Sequence, residues 1–337
     1  MSKILEVKDL TITFAAEGGE LPAVTGVEFS LEKGEILALV GESGCGKSVS
    51  CMSLARLLPS PPAILKKGEI LLHTPEGVCD VTRLSGKELR KIRGGKIAYI
   101  FQEPSVSLNP VFRVGDQIAE ALMLHCREVK DVKGRVVELL EQVGIPDPAA
   151  RAECYPHELS GGMQQRIMIA MALASNPDIL IADEPTTALD VTIQAQILQL
   201  LQDLRDHYGM SVILVTHNLG IVAEVADTVA VMYGGRIVEY AGVEELLTDP
   251  LHPYTKALLA SVPKLGGEKV RLATIPGSVP LPAEYPQGCR FSTRCSLPAG
   301  KESEENECRE ILPPMREVKK GHFCACHKCQ QGEEKCF

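Results

Sequence analysis

The sequence predicts an α/β fold built on a mostly parallel sheet. Four short apolar segments are rich in β-branched residues and bounded by polar ones, which is typical of buried strands: residues 35–40, 97–102, 178–183 and 211–217. Helical stretches lie between them, as in TIQAQILQLLQDL, where apolar residues recur at helical spacing. Short buried strands that alternate with helices predict the parallel sheet of an α/β core.

Other segments depart from this alternation. Residues 4–14 alternate like a strand and lead into a turn at residues 17–19, and residues 229–241 predict a hairpin turning at Gly234 and Gly235. Residues 105–160 contain two helical segments with no strand between them, so we place a helical subdomain at about residues 105–175.

After Pro263 the periodicity fades, and proline, glycine and cysteine become frequent. We therefore predict an α/β domain over residues 1–262 and a small cysteine-rich extension over residues 263–337.

Composition excludes some classes of function. The 337 residues carry a formal net charge of −9 and no tryptophan, which argues against a protein that binds nucleic acid through charge and base stacking. No apolar run approaches the roughly 20 residues of a membrane span, and the N-terminus lacks the apolar core of a signal peptide. We expect a soluble, cytosolic chain, in which clustered cysteines more often bind metal than form disulfides.

A phosphate-binding loop is the strongest motif. Residues 41–48 read GESGCGKS and stand between a strand and a helix, as the P-loop pattern requires. Glycines let backbone N–H groups turn inward around phosphate oxygens, Lys47 is expected to reach the β- and γ-phosphates, and Ser48 is expected to ligate Mg²⁺. Cys45 is interpreted as a small residue of the loop and not as a nucleophile. The other expected nucleotide contacts are Gly41, Ser43, Gly44, Cys45, Gly46 and Val49.

Polar residues follow three of the predicted strands. Asp183 and Glu184 are adjacent at the end of ILIADEP, where the first is expected to hold the Mg²⁺ shell and the second to orient or deprotonate a water molecule. Gln102 and His217 also end strands. Because strand C-termini line the ligand crevice of an open α/β sheet, both side chains are expected to face the γ-phosphate. Alone, each of them would be interpreted as an ordinary structural or surface residue.

A second anion-binding element follows the helical segments. Residues 159–166 read LSGGMQQR, and Ser160 is expected to cap the helix that runs through IMIAMALAS. The N–H groups at such a helix start suit an anion. The chain therefore has two phosphate-binding elements that lie far apart in sequence.

With these motifs in this order, residues 1 to about 250 resemble the ATPase subunits of ABC transporters. The motifs that carry the resemblance are GESGCGKS, IFQEP, LSGGMQQR, ILIADEP, ALD at 188–190 and VTHN. The resemblance implies a P-loop ATPase core with an N-terminal β-subdomain and a helical signature subdomain. It also implies a head-to-tail dimer, in which one chain presents the following residues to ATP on the partner's P-loop: Ser160, Gly161, Gly162 and Gln164.

The resemblance assigns further roles. Glu184 is the catalytic base, and His217 contacts the γ-phosphate. Gln102 links Mg²⁺ to the membrane subunit, and Asp190 lies at the dimer interface. Phe14 stacks on adenine, although a core position in the strand explains that residue equally well. Only one set of motifs is present, so the chain is half of an ATPase pair, and it contains no pore.

The C-terminal part resembles the oligopeptide, dipeptide and nickel importer branch. Residues 250–263 read PLHPYTKALLASVP, which predicts a short helix begun by Pro253 and is similar to a segment that follows the ATPase domain in that branch. The branch carries a C-terminal extension with four cysteines, which in some members ligate a [4Fe–4S] cluster. The resemblance assigns that role to Cys289, Cys295, Cys308 and Cys326.

Alternatives for the cysteines stay open. Cys324 is the alternative to Cys326 as the fourth ligand. Cys326 and Cys329 form a CxxC pair, which is typical of zinc sites. Cys336 is an extra thiol, and free cysteines on a disordered tail are the remaining interpretation.

The resulting hypothesis is an energy-coupling subunit of a peptide or nickel-type importer that uses ATP and Mg²⁺ at the cytoplasmic face of the membrane. Its implied partners are a second, related ATPase subunit, two transmembrane permease subunits and an extracytoplasmic binding protein, with no nucleic acid. The alternatives are a soluble, non-transport ABC ATPase and an ATPase gated by metal or redox state. The sequence does not distinguish the cargo.

Overall fold

The computed structural model describes residues 2–187, 189–262, 274–297, 307–329 and 333–334. Its strands are β1 (Lys3–Ala16), β2 (Gly19–Glu32), β3 (Ile36–Val40), β4 (Ala63–Thr74), β5 (Gly77–Asp80), β6 (Ile97–Ile100), β7 (Ile179–Asp183), β8 (Ser211–Thr216), β9 (Thr228–Tyr233), β10 (Arg236–Gly242), β11 (Arg316–Lys319), β12 (His322–Cys324) and β13 (Glu333–Glu334). Its helices are α1 (Lys47–Leu54), α2 (Gly86–Ile92), α3 (Pro104–Ser107), α4 (Val114–His125), α5 (Val132–Gln142), α6 (Pro148–Ala152), α7 (Gly161–Leu173), α8 (Val191–Tyr208), α9 (Leu219–Val225), α10 (Val243–Thr248) and α11 (Pro253–Ala260).

The chain divides into two compact units. The first is formed by Met1–Thr82 and Thr216–Phe337, and the second by Arg83–Val215. The first unit therefore contains the P-loop and the C-terminal extension, while the second contains the helical segments and the LSGGM motif.

The first unit contains an antiparallel sheet in the order β2-β1-β4-β5. Apolar residues alternate in two parts of β1, with Leu5 and Val7 buried before a register shift and Leu10 and Ile12 buried after it. Strand β2 of this sheet also packs against β10 and helix α1.

A second set of strands in the first unit runs in the order β13-β11-β12-β10-β9-β3. Strands β3 and β9 are parallel, β9 and β10 form the predicted hairpin, and β12 pairs antiparallel with β10. The C-terminal extension thus adds strands to the sheet that carries the P-loop.

In the second unit, β6, β7 and β8 form parallel pairs, with Ile97 opposite Ile179 and Ile179 opposite Ser211. Strand β7 is buried at all five residues, as expected for a parallel strand covered on both faces. Helices α4, α5 and α7 pack against one another, and α7 also packs against β6.

Most predicted elements are confirmed. The strands over 4–14, 35–40, 97–102, 178–183 and 211–217 correspond to β1, β3, β6, β7 and β8, and helix α11 begins at Pro253. The sheets are mixed and not mostly parallel, because β1, β2, β4 and β5 and the strands after β9 pair antiparallel.

The division of the chain at residues 262 and 263 stays a prediction, since residues 263–273 lie outside the described residues. The two compact units of the structure, whose boundaries in the chain fall after Thr82 and before Thr216, are defined by contacts within each unit and do not correspond to the predicted domains. Within the described part of the chain, no helix has both the length and the apolar content that a bilayer span requires.

Candidate functional site

The P-loop lies between β3 and α1 in the first unit. A Cβ atom on Gly41 would come within 2.3 Å of the Met232 carbonyl oxygen and 2.7 Å of the Cys45 Sγ, so only glycine fits there. Lys47 is 5% exposed, and its Nζ donates to the carbonyl oxygens of Gly41 at 2.7 Å and Glu42 at 3.1 Å. The ammonium group is therefore held against the backbone of the loop.

The remaining loop residues divide into an exposed tip and a buried base. Ser43 and Gly44 are exposed, whereas Cys45 is fully buried and Ser48 is half-buried at the start of α1. Burial raises the pKa of the Cys45 thiol, which keeps it protonated and agrees with a structural role. Gly46 caps α1 with a positive φ of 101°.

Phe14 lies near the end of β1 and is half-buried. It pairs with Leu21 on β2 and with Ala63 on β4. Its stacking on adenine stays a prediction.

Asp183 ends strand β7 in the second unit and is 5% exposed. The Tyr99 hydroxyl donates to its Oδ2 at 2.6 Å, whereas its Oδ1 is buried and has no hydrogen-bond partner among the described residues. Buried polar atoms are normally paired. A carboxylate that is fixed through one oxygen and leaves the other unpaired fits a cation ligand such as one for Mg²⁺.

Glu184 follows directly and has a left-handed backbone with φ of 47°. Such a conformation is costly for a residue other than glycine and is concentrated at functional sites. Its Oε2 accepts hydrogen bonds from Gln102 Nε2 at 3.2 Å and from Thr187 Oγ1 at 2.9 Å. The structure thus brings together the two predicted residues, Gln102 and Glu184.

Thr187 contacts Glu184, and none of the sequence motifs indicated this residue. The signal that could have found it is its position three residues after Glu184, since a turn brings residues at that spacing together.

The LSGGM motif begins helix α7. Ser160 is the predicted cap, and its Oγ accepts from the Met163 N–H at 3.4 Å. Gly161 and Gly162 form the first turn. Gln164 Nε2 donates to the carbonyl oxygens of Pro156 and Leu159, so this side chain supports the loop that presents the motif.

Two further predicted residues stand at helix starts. Asp190 is exposed and caps α8 by accepting from the Ile193 N–H at 2.9 Å. His217 is exposed in the first unit, directly after β8 and just before the Asn218 cap of α9. Their assigned roles stay predictions.

Four cysteines line one cavity of about 230 Å³ in the first unit: Cys289, Cys295, Cys308 and Cys326. These are the four that the resemblance assigned. Cys324 lies on β12 instead, buried, with its Sγ 3.1 Å from the Sγ of Cys329. Cys336 lies outside the described residues. No group of three or more His, Cys, Asp or Glu side chains in the described ranges is arranged to hold a metal ion.

The cavity environment disfavours free thiolates. Burial raises the pKa of the Cys289 thiol to about 12 and also raises the pKa of Cys295 and Cys308. The pKa of Cys326 is raised by its contact with Cys329 and by burial. Thiolates in such surroundings need a cationic partner to stay ionised.

A buried carboxylate anchors the extension to the sheet. Glu239 on β10 is fully buried and accepts from His322 Nε2 at 2.8 Å. It also accepts from the N–H groups of Leu251 at 2.7 Å and His252 at 2.9 Å. Burial alone would raise the pKa of Glu239, but these hydrogen bonds outweigh it and hold the pKa below its usual value. No sequence pattern pointed to this residue.

The glycine-rich loop between β3 and α1, with Lys47 buried against its backbone, is the arrangement of a P-loop nucleotide-binding protein. Comparisons with known proteins agree. Residues 24–187 match the ABC transporter family, and residues 238–301 match the C-terminal region of oligopeptide/dipeptide transporters.

Relatives match along most of the chain. It is 53% identical over 326 residues to the oligopeptide transport ATP-binding protein OppD of Bacillus subtilis (strain 168), covering 96% of this chain and 88% of that one. It is 51% identical over 296 residues to the dipeptide transport ATP-binding protein DppD of the same organism, covering 88% and 87%. A dimeric ATP-binding cassette solved in a post-hydrolysis state with ADP and Pi matches with a TM-score of 0.63 and 28% identity, covering 71% of this chain and 98% of that one.

The chain belongs to the ABC transporter family, among the ATP-binding subunits that carry the oligopeptide/dipeptide transporter C-terminal region. It is an ATP-hydrolysing transport subunit. The alternative of an ATPase without a transport role is not favoured, because the relatives matched over most of the chain are transport proteins.

Proposed function

We propose that this chain couples ATP hydrolysis to the import of peptides across the cytoplasmic membrane, as a peripheral subunit on its cytoplasmic face. The observation that carries the proposal is the joining of Glu184 to Gln102 in a chain that also has the peptide-transporter C-terminal region. Dipeptides and longer peptides are the proposed cargo, with nickel-type chelates as the alternative within the same branch.

The catalytic roles follow from the chemistry of each group. Lys47 binds the β- and γ-phosphates, while Ser48 and Asp183 supply oxygen ligands for Mg²⁺. Glu184 takes the proton of the attacking water, and His217 contacts the γ-phosphate. The unpaired Oδ1 of Asp183 and the hydrogen-bonded carboxylate of Glu184 support these assignments.

The second ATPase subunit is a related chain in a head-to-tail dimer. Ser160, Gly161, Gly162 and Gln164 then serve the partner's nucleotide. The start of α7 supports this, because Ser160 caps the Met163 N–H, Gly161 and Gly162 form the first turn, and N–H groups at a helix start suit an anion. Asp190 contributes to the dimer interface.

The permease subunits dock beside Gln102. Four large apolar side chains close to it in sequence are exposed: Phe101 at 41%, Val106 at 78%, Val111 at 71% and Phe112 at 53%. Large apolar side chains that are exposed close together in sequence support a protein interface here. An extracytoplasmic binding protein selects the cargo in such an importer, so this chain sets the energy supply and not the specificity.

The cysteine cavity holds a [4Fe–4S] cluster, with zinc as the alternative. Four thiols that line one cavity match the Cys₄ ligation of such a cluster. Their position favours Cys326 over Cys324 as the fourth ligand. When bound, the cluster supplies a cationic centre that stabilises the thiolates and ties together segments that are distant in sequence.

Co-expression with the two permeases, the related ATPase and the binding protein tests the function. We expect the chain to purify with the permeases and its ATPase activity to rise when peptide and binding protein are added. Phe112→Asp should lose the complex while leaving ATP binding intact, and Glu120→Gln, an exposed change on α4, serves as the control. A chain that never associates with permeases would contradict the proposal.

A further inference from the structure

Segment 289–295 of the extension reaches the P-loop through Arg294. The Arg294 guanidinium donates from Nη1 to both carboxylate oxygens of Glu42 and from Nη2 to one of them, each at 3.1 Å. Glu42 is the second residue of the P-loop. An arginine–carboxylate pair of this kind fixes orientation as well as distance, so it holds the extension against the loop in a defined geometry.

Arg294 is fixed on its other sides as well. It is 8% exposed, and its Nε donates to the Pro276 carbonyl oxygen at 2.8 Å. Its Nη1 also donates to the Tyr233 hydroxyl, and its Nη2 to the Gly277 carbonyl oxygen, both at 3.3 Å. A guanidinium with partners at all three nitrogens and little exposure keeps one position. Its contact with Glu42 is therefore better fixed than an ion pair at the solvent-exposed surface.

Glu42 passes this constraint to the phosphate-binding lysine. Its N–H donates to the Tyr254 hydroxyl at 2.9 Å, and its carbonyl oxygen accepts from Lys47 Nζ at 3.1 Å. One residue therefore separates Arg294 from the ammonium group that binds phosphate. A displacement of the Glu42 backbone changes the direction of the carbonyl to which Lys47 is hydrogen-bonded.

A second arginine of the same segment is linked to the P-loop through the β9–β10 turn. Arg290 donates to the Gly234 carbonyl oxygen and, at 3.0 Å, to the Thr25 hydroxyl. The next residue, Gly235, donates its N–H to the Cys45 carbonyl oxygen at 2.8 Å. Segment 289–295 thus contacts the P-loop directly through Arg294 and indirectly through Arg290 and the 234–235 turn.

We propose that Arg294 is a positioning residue for ATP binding, which holds Glu42 so that the P-loop and Lys47 are arranged to receive the phosphates. ATP affinity is then coupled to the order of segment 289–295. Cys289 and Cys295 end this segment, so a group bound by their thiols strengthens ATP binding, and ATP in return orders the segment, because coupling between two sites is reciprocal. The part that concerns the bound group rests on the proposed cluster, whereas the part that concerns Arg294 does not.

The first test measures the affinity of the full chain, purified without oxygen, for the non-hydrolysable analogue AMP-PNP. Arg294→Gln should bind about tenfold more weakly, within the range of site-to-site couplings. Arg294→Lys should restore part of the loss. The KM for ATP should rise more than kcat falls, since Arg294 does not touch the reacting atoms.

Three further variants test whether the loss of affinity arises from the contact between Arg294 and Glu42. Glu42→Gln should weaken binding similarly, and the double variant should bind no more weakly than Arg294→Gln alone, because both changes break one contact. Arg316→Gln, at an exposed position of β11, is the matched control and should bind normally. Unchanged affinity in Arg294→Gln, or additive losses in the double variant, would overturn the proposal.

The second test follows hydrogen exchange of the peptide covering residues 289–297. AMP-PNP should slow its exchange in the wild-type chain and not in Arg294→Gln. No nucleotide effect in the wild-type chain would overturn the coupling. If the chain contains no iron but Arg294→Gln still weakens AMP-PNP binding and abolishes the exchange effect, only the cluster proposal is refuted. If the chain contains iron but Arg294→Gln changes neither measurement, only the Arg294 proposal is refuted.

Discussion

Gln102 donates a hydrogen bond to Glu184 over 3.2 Å, and this contact joins the ends of β6 and β7 at the proposed catalytic base. Because Phe101, next to Gln102, is exposed, the same short segment offers one side chain to the catalytic glutamate and another to a partner. In the proposed complex, a displacement of this segment by the permeases would change the environment of Glu184 and so link transport to hydrolysis.

Glu184→Gln should bind ATP but turn it over about 10²–10⁴-fold more slowly, because the amide cannot accept the proton of the attacking water. It should also accumulate a nucleotide-bound dimer. Single-turnover hydrolysis and light scattering measure the two effects. Glu153→Gln, an exposed change elsewhere in the same unit, is the control. Normal turnover by Glu184→Gln in the assembled complex would show that another group is the base.

Thr187→Val should lower kcat by about tenfold, since it removes one hydrogen bond that orients the Glu184 carboxylate. Thr187→Ser keeps a hydroxyl and should retain most of the activity. Steady-state measurements of kcat and of the KM for ATP test this role. A change in KM with no change in kcat would show that Thr187 acts in nucleotide binding and not in orienting Glu184.

Cys326→Ser should lose iron, or zinc, while Cys324→Ser should keep most of it, because only Cys326 lines the cavity with the three other assigned cysteines. Metal and sulfide content per chain and the visible spectrum of anaerobically purified protein measure the result. Loss of metal from Cys324→Ser and retention in Cys326→Ser would contradict the assignment of the fourth ligand.

Glu239→Gln should lower stability by about 2 kcal/mol near neutral pH, because hydrogen bonds to a charged group are among the stronger ones. The folded-state pKa of Glu239 lies below its usual value of 4.5, so the unfolded chain binds more protons as the pH falls through this range. Its stabilisation is therefore present above about pH 4.5 and is lost at lower pH.

Urea unfolding between pH 3.5 and 7 measures this effect, with Glu244→Gln, an exposed change on α10, as the control. The difference between wild type and Glu239→Gln should shrink as the pH falls. A difference that stays constant over the whole range would show that the carboxylate charge does not stabilise the anchor.

Sequence patterns were sufficient where a motif is contiguous and its secondary structure is local. GESGCGKS follows a strand of apolar residues, and LSGGM precedes a helix, so both elements were correctly placed. The hydrogen bond between Gln102 and Glu184 could not be predicted from these patterns, because it depends on which parallel strands are neighbours.

Contacts between segments that are distant in sequence could not be predicted from sequence patterns. Glu239 meets His322 across 83 positions, and Arg294 meets Glu42 across 252. A single acidic residue on an apolar strand and a single arginine between cysteines carry no periodicity that points to a partner. The strands β11 and β12 were missed because they are short and depend on pairing, β12 with β10 and β11 with β12.

The most direct test of the central claim is peptide uptake into proteoliposomes that contain the two permeases, this chain and its related ATPase, with the binding protein on the side opposite the ATPases. The account predicts uptake that requires ATP and is abolished by Glu184→Gln in this chain. Uptake that continues with Glu184→Gln, or ATP hydrolysis that never drives peptide uptake, would contradict it.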